Sequence, residues 1–210
     1  CRFCQAGYIY RPVRQRDCET AVGIVSDIVK NTGHEEFSFL SLSVSDWPPL
    51  GDALAMVHRE TSLPIDASLP SLRVEALTDE MLKNMGSGRS GSFTLAPEAG
   101  TERMRLAINK GNTDEDLYAS IEKIFSCGWH AVKLYFMIGL PGETQEDLDG
   151  IARTAKRCLE IGKRHHRRAE VTVSTSTFIP KPHTPFQWER QISADETVEK
   201  QNYLKRVLRG

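Results

Sequence analysis

The sequence has no long apolar run. Stretches such as Leu134–Ile138 fall far short of a membrane span. Nor does it carry a basic, apolar and small-residue leader, so a cytoplasmic protein is expected. Neither charge sign is in surplus: 27 Lys and Arg against 28 Asp and Glu leave a net −1, which argues against both a general nucleic-acid field and an acidic solvating tail. Cysteine is sparse and odd in number, five in 210 residues, so a disulfide framework is not expected. G-x-x-x-x-G-K-[ST], G-x-S-x-G and H-E-x-x-H are all missing, which removes the usual nucleotide hydrolase, esterase and zinc protease readings. What is there is ordinary globular composition, 40% hydrophobic and 26% charged, in a chain long enough to bury about 70% of its unfolded surface. One core domain over residues 1–210, closing on a last helix at 193–210, is expected. The chain opens on Cys1 rather than Met, as expected of a piece of something longer.

Apolar periodicity alternates between strand and helix patterns. Helical faces run over Asp17–Thr32, Leu50–Thr61, Thr101–Ile108, Asp114–Cys127, a long segment carrying Leu148, Ile151, Ala155 and Leu159, and Ala194–Leu208; Thr78 caps another. Strand-like runs fall at Phe37–Val44, Pro64–Leu69, Ser92–Ala96, Ala131–Ile138 and Glu170–Phe178. Thr113/Asp116, Thr144/Asp147 and Ser193/Glu196 match the capping-box pattern at helix starts. Strand and helix alternating at about 30 residues per unit predict parallel βα units, in an open, curved, all-parallel sheet with helices on its outer face. With a strand just upstream of Cys1, about six units are expected. In such architectures chemistry gathers at the carboxyl ends of the strands. That directs attention to residues 43–47, 96–100, 139–143 and 178–184.

Gly86–Gly91 spells G-x-G-x-x-G but follows a helix and precedes a strand, the reverse of a dinucleotide site, and is read as a decoy. The basic run Lys163–Arg168 reads as a solvated helix end complementing the dipole, with a phosphate-backbone contact as the alternative. Cys18, Cys127 and Cys158 read as small buried hydrophobes. Cys1 and Cys4 differ: their spacing in a loop suits one metal centre or a redox pair. Three post-strand segments join them as a candidate site. Leu95–Thr101 places the carboxylate of Glu98 directly after a strand, with Lys110 one short helix later. Met137–Thr144 is a tight turn in which Gly139 lets a ligand approach the backbone while Met137 offers a polarizable contact. Phe178–Phe186 is a proline-fixed exit from the last strand.

Cys1-Arg2-Phe3-Cys4-Gln5-Ala6-Gly7 resembles the last part of the C-x-x-x-C-x-Φ-C signature of radical S-adenosylmethionine (SAM) enzymes, with Phe3 as the aromatic. The segments Pro97–Arg103, Tyr135–Thr144 and Pro180–Trp188 resemble the branch holding the methylthiotransferases, the Elongator catalytic subunit and anaerobic coproporphyrinogen oxidase. Within it the chain is most similar to a group carrying an upstream cobalamin-binding-like domain. The resemblance implies an α/β fold, a partial (β/α)6 TIM-like barrel whose first strand lies upstream, binding a [4Fe–4S] cluster and SAM. Cobalamin held by an upstream domain is a further candidate. It implies Cys1 and Cys4 as the second and third cluster ligands, the first lying four positions before Cys1, so a chain with two thiolates is expected to hold a cluster poorly and to be inactive alone. It places Ser43 and Ser45 near the methionine amine, Glu98 as a polar contact, Lys110 as the cation near the carboxylate, and Met137 and Phe178 beside the adenine. An electron donor is implied; the substrate is left open, RNA and protein among the candidates. The competing reading is a non-catalytic zinc- or RNA-binding α/β module using Cys1, Cys4 and the basic run.

Overall fold

Most of the helices start where a short polar side chain satisfies a free amide. A computed structural model describes residues 1–61, 66–69, 72–74, 77–78, 81–82, 85 and 92–209. The four-residue turn α1 (Ala6–Ile9) leads to α2 (Cys18–Thr32), where Asp17 Oδ1 accepts from the Thr20 amide at 2.7 Å. Strand β1 (Glu36–Ser38) and a 3₁₀ turn (Val44–Asp46) precede α3 (Leu50–Thr61) and β2 (Asp66–Ser68). Then follow β3 (Ser92–Glu98), α4 (Glu102–Ala107), α5 (Asp114–Ser126), β4 (Ala131–Ile138), α6 (Gln145–His165), β5 (Glu170–Thr177) and α7 (Ala194–Leu208). Capping boxes open α5 at Thr113/Asp116 and α7 at Ser193/Glu196, and Asp147 reaches back to the Thr144 amide at 2.8 Å to open α6. Thr78 Oγ1 accepts from the Met81 amide at 3.2 Å; its expected first-turn acids Asp79 and Glu80, and the Gly86–Gly91 decoy, lie outside the described residues.

Every strand pairing is parallel, as the alternation predicts. Among the described residues the strands form a two-stranded sheet, β1-β2, and a three-stranded sheet, β3-β4-β5, linked by the bridge Leu72–Leu95. The barrel is open rather than closed. Side chains on β4 alternate: Val132, Leu134 and Phe136 are buried with the inner faces of α5, α6 and α7, while Lys133 and Tyr135 face the open side. One expected strand is shorter than its apolar run. Phe37–Val44 pairs only over Glu36–Ser38, because Ser41 Oγ accepts from the Ser43 amide (3.1 Å) and the Asp46 amide bonds to Ser43 O (3.1 Å), turning the backbone out of the ladder. No helix among the described residues is long and apolar enough to cross a membrane.

The tightest junction lies between the loop after β3 and α6. A Cβ on Gly150 would lie 2.4 Å from Gly100 O, and one on Gly100 would lie 2.3 Å from both Asp147 O and Ile151 N. Two backbones meet with no room for a side chain. Gly150→Ala is therefore expected to destabilise the fold by about 1–3 kcal/mol or more through overpacking, whereas Gly23→Ala, in open space on α2, should be neutral or stabilise by about 0.5–1 kcal/mol. Denaturant unfolding of both variants checks the contrast.

Candidate active site

Asp147 locks the corner on which the site is built. Its side chain is buried, accepts from the Thr144 amide (2.8 Å) and hydroxyl (2.9 Å) and from the Thr101 hydroxyl, and pairs with Arg103. Thr101 in turn caps α4, accepting from the Met104 amide at 3.3 Å. Burial alone would raise the Asp147 pKa, but the donors of Thr101 and Thr144 and the charge of Arg103 outweigh it and hold the carboxyl below its ordinary value. Arg105, with a fully buried side chain, braces the same corner. Its Nε donates to Asn112 O (2.9 Å), its Nη1 to Ala99 O (3.1 Å), and its Nη2 pairs with Asp114 at the start of α5. Neither role was visible in the sequence reading, although Asp147 stood in it as a capping residue.

From this corner the two charged site candidates emerge. The β3–β4 register shifts between Leu95 and Glu98, and Glu98 takes φ +70°, a left-handed conformation uncommon outside glycine. It ends the strand facing Lys110, whose Nζ lies 3.3 Å from Glu98 Oε1 and also donates to Ala96 O. Lys110 is delivered by Asn109, itself at φ +58°, and by its own amide bonded to Arg105 O at 2.8 Å.

The N-terminal loop is fastened over the same end of the sheet. The Arg2 amide bonds to Ile108 O (2.9 Å), the Phe186 amide to Arg2 O (3.2 Å) and Gln5 Nε2 to Pro182 O (3.1 Å), while Tyr8 stacks on His183 with ring centroids 4.3 Å apart. Cys1, Phe3, Cys4, Ser43, Glu98 and Lys110 accordingly line one cavity of about 1370 Å³. Cys1 and Cys4 are free and exposed. Phe3 also packs on a small apolar cluster containing Met137, Phe178, Ala99 and Ile108, in which Met137 and Phe178 are buried behind the cavity wall. Gly139, at φ +77°, donates its amide to both oxygens of Glu143 (3.1 and 3.0 Å), and Lys200 from α7 reaches Glu143 at 2.8 Å. Gly139 is thus held by a buried carboxylate that the sequence reading left without a role. Ser45 sits in the 3₁₀ turn, where its hydroxyl accepts from the Arg73 amide at 3.1 Å.

Of the remaining cysteines Cys158 is buried, which pushes its thiol up to about 12, whereas Cys18 and Cys127 are half-buried against the core, Cys18 Sγ lying 3.5 Å from Met56 Sδ. Part of the basic run fastens helices together. Arg164 and His165 pair with Glu122 at 2.8 and 2.6 Å, and His166 meets Phe125 O at 3.2 Å.

Residues 1–155 match the sequence profile of the radical SAM superfamily. The chain belongs to the radical SAM superfamily. The superfamily consists of enzymes, and membership implies a [4Fe–4S] cluster and SAM. The radical SAM chain is 30% identical over 210 residues to an uncharacterized protein of Methanocaldococcus jannaschii, MJ0966, covering all of this chain and 44% of that protein. It is 26% identical over 230 aligned residues to an uncharacterized protein of Methanopyrus kandleri, MK0932, covering 43% of it. It spans less than half the length of these relatives. Its fold is similar to that of HydG, a maturase of the [FeFe]-hydrogenase (TM-score 0.58, 15% identity, 99% of this chain and 46% of that one). It is equally similar to that of the radical SAM enzyme coproporphyrinogen III oxidase (HemN) from Escherichia coli (TM-score 0.58, 13% identity, 99% and 50%).

The lowered pKa of Asp147 makes its contribution one that is complete above the unfolded carboxylate value, ~3.9, and lost as pH falls through the lower folded value. Asp147→Asn should therefore cost about 1–3 kcal/mol near neutral pH, and the gap to wild type should close on acidification below pH ~3.9. Urea unfolding as a function of pH measures it, and a gap independent of pH would refute the role.

Proposed function

We propose that this chain is the catalytic core of a radical SAM enzyme, residues 1–210 forming one domain in which Cys1 and Cys4 supply two cluster thiolates and Glu98 and Lys110 hold the methionine moiety of SAM. The observation that carries the reading is the convergence of Cys1, Phe3, Cys4, Ser43, Glu98 and Lys110 on one cavity at the carboxyl ends of the strands. The donor set fits such a cluster at two corners. Both thiols are free and exposed at the cavity, and among the described residues no third His, Cys, Asp or Glu joins them in a group able to hold a metal ion. Membership of the superfamily, rather than a count of ligands, favours the cluster over the zinc module. The third cluster thiolate is assigned to the cysteine that the signature places four positions before Cys1.

When bound, the cluster supplies the electron that cleaves the sulfonium of SAM to methionine and a 5′-deoxyadenosyl radical. The chain's own residues bind and orient. Lys110, already tethered to Ala96 O, is the counter-charge for the methionine carboxylate, and Glu98 accepts from its ammonium group. The ends of the zwitterion then replace the partners' mutual contact with charge-assisted hydrogen bonds. Ser43 offers a hydroxyl near the amine. Gly139, whose amide is taken by Glu143 and beside which Ile192 packs, is assigned to the adenosine through its carbonyl alone, and Phe3, Met137 and Phe178 form the apolar support beside the adenine. Ser45 is assigned a lesser place, since its hydroxyl already serves the Arg73 amide.

The finer placement, in the branch of the methylthiotransferases, the Elongator catalytic subunit and anaerobic coproporphyrinogen oxidase, rests on the sequence resemblance alone. So does cobalamin, which this reading does not use. An electron donor is required, and substrate choice belongs to the whole protein.

The test uses the full-length protein, reconstituted anaerobically with iron and sulfide and then reduced. It should convert SAM to 5′-deoxyadenosine and methionine, slowly even without substrate. Cys4→Ala should abolish the product while leaving the circular dichroism unchanged, because Cys4 is exposed in a loop. One tightly bound zinc with no 5′-deoxyadenosine would overturn the reading. Lys110→Ala should weaken SAM binding by about 1.5–3 kcal/mol, the range for a hydrogen bond to a charged group; calorimetry showing unchanged affinity would remove Lys110 from the site.

A further inference from the structure

We propose that the open face of the three-stranded sheet seats an oxyanion of the substrate, a carboxylate or phosphate group, with Lys133 as its counter-charge; the inference rests on the radical SAM reading only in calling that ligand the substrate. Lys133 is the third residue of the central strand, in its amino-terminal half, on the face opposite the core. Its Nζ sits over the ring of Tyr135, two residues along the same face, 4.9 Å from the centroid. A carboxylate on a neighbouring strand would stabilise a lysine at such a position, since opposite charges facing across a sheet attract. Lys133 has none: among the described residues it makes no ion pair, whereas Lys110, Arg103, Arg105 and Lys200 each have one.

Its direct neighbours are hydroxyls. The register places Thr94 of β3 on one side of Lys133 and Thr172 of β5 on the other, and Ser174 beside Tyr135 in the next row. Neighbouring strands are about 4.8 Å apart, so Thr94 and Thr172 set hydroxyls on either side of the Lys133 stem, roughly 10 Å from one another, and the ammonium extends beyond them over Tyr135. The ammonium gives a compact charge for one anionic oxygen, and the hydroxyl on one side or the other can donate to a second oxygen of the same group. The carboxylates nearest by topology do not take the place. Glu170 lies on β5 one row nearer the amino ends and is exposed, and Glu36 and Asp66, on the other sheet, line the neighbouring cavity with Thr94 and Tyr135 without forming an ion pair with Lys133. Thr94 and Tyr135 line the same cavity as Cys1, Cys4, Glu98 and Lys110. Ala96, the small residue between Thr94 and Glu98 on β3, also lines it and leaves the space between the two ends open. A ligand anchored at Lys133 therefore extends toward the carboxyl-end loops, where the SAM-holding groups lie.

The test is a titration of the ¹⁵N-labelled chain with sodium phosphate and, separately, sodium succinate, each replacing sodium chloride at constant ionic strength. Saturable amide shifts are expected at residues 94, 133, 135, 172 and 174; the tighter of the two anions identifies the group. Lys133→Gln should weaken that binding about tenfold or more, and Thr94→Val or Thr172→Val about threefold each, from the loss of one charged or neutral hydrogen bond. Lys133→Arg should stay within about threefold because charge is retained, and it carries the test should the glutamine variant fail to fold. Arg167→Ala with Arg168→Ala, on the exposed basic run, should change nothing. Equal affinity in Lys133→Gln, or shifts confined to residues 163–168, overturns the proposal. A full-length protein that cleaves SAM, with no saturable anion response in either it or the chain, overturns this inference alone. An anion response that depends on Lys133, in protein that neither binds nor cleaves SAM, supports the seat and sinks the functional reading instead.

Discussion

The contact of Gly100 with Gly150, sealed by the carboxylate of Asp147, is the constraint on which the site depends. Backbone meets backbone there at a distance no Cβ allows. This sets the loop leaving β3 directly on α6, the helix that packs on β4, β5, α5 and α7. Asp147 then ties the starts of α4 and α6 to one another through Thr101 and Thr144. Glu98 and Lys110 lie on either side of α4, so the position of one relative to the other is inherited from this junction.

Buried charge is concentrated at the carboxyl ends of the sheet, and each such charge has a partner or several hydrogen bonds. Arg105 donates to two carbonyls and pairs with Asp114; Glu143 accepts from the Gly139 amide and pairs with Lys200. Removing one member of such a set leaves the other desolvated and alone, which explains why these pairs behave as scaffold rather than as ornament. Glu98 and Lys110 differ in being partly open to the cavity, so a ligand with both charges can replace their mutual contact without burying an unpaired ion. The left-handed backbone at Glu98 is held against its intrinsic preference by the same braces.

The two faces of β4 divide the labour of the sheet. Val132, Leu134 and Phe136 build the core, and the helices cover them completely. Lys133 and Tyr135 remain on the open side because the barrel is not closed among the described residues. Superfamily membership explains the carboxyl-end cavity and its thiols. It does not by itself explain a lysine without an ion pair on the open face of the central strand, and the hydroxyls on either side of its stem are what suggest a ligand.

Local signals were enough for the elements and for the family. The capping residues at Thr113, Thr144 and Ser193 and the switch between period-two and helical patterning marked helices and strands, because both depend on interactions within a few residues. Cys1-Arg2-Phe3-Cys4 and the three post-strand segments pointed to the superfamily for the same reason: chain-local chemistry leaves its pattern in the sequence. The extent of β1 was misjudged, since Phe39, Leu40, Leu42 and Val44 read as strand while the Ser41 hydroxyl and the Ser43 carbonyl turn the backbone away. The roles of Arg105, Asp147, Glu143 and Lys200 were not legible, because each depends on a partner brought from another element, 57 residues away in the case of Lys200 and Glu143. Likewise, only the register of β3, β4 and β5 sets Thr94, Lys133 and Thr172 side by side, since strand pairing is decided by which faces the whole fold buries and not by any one strand's composition.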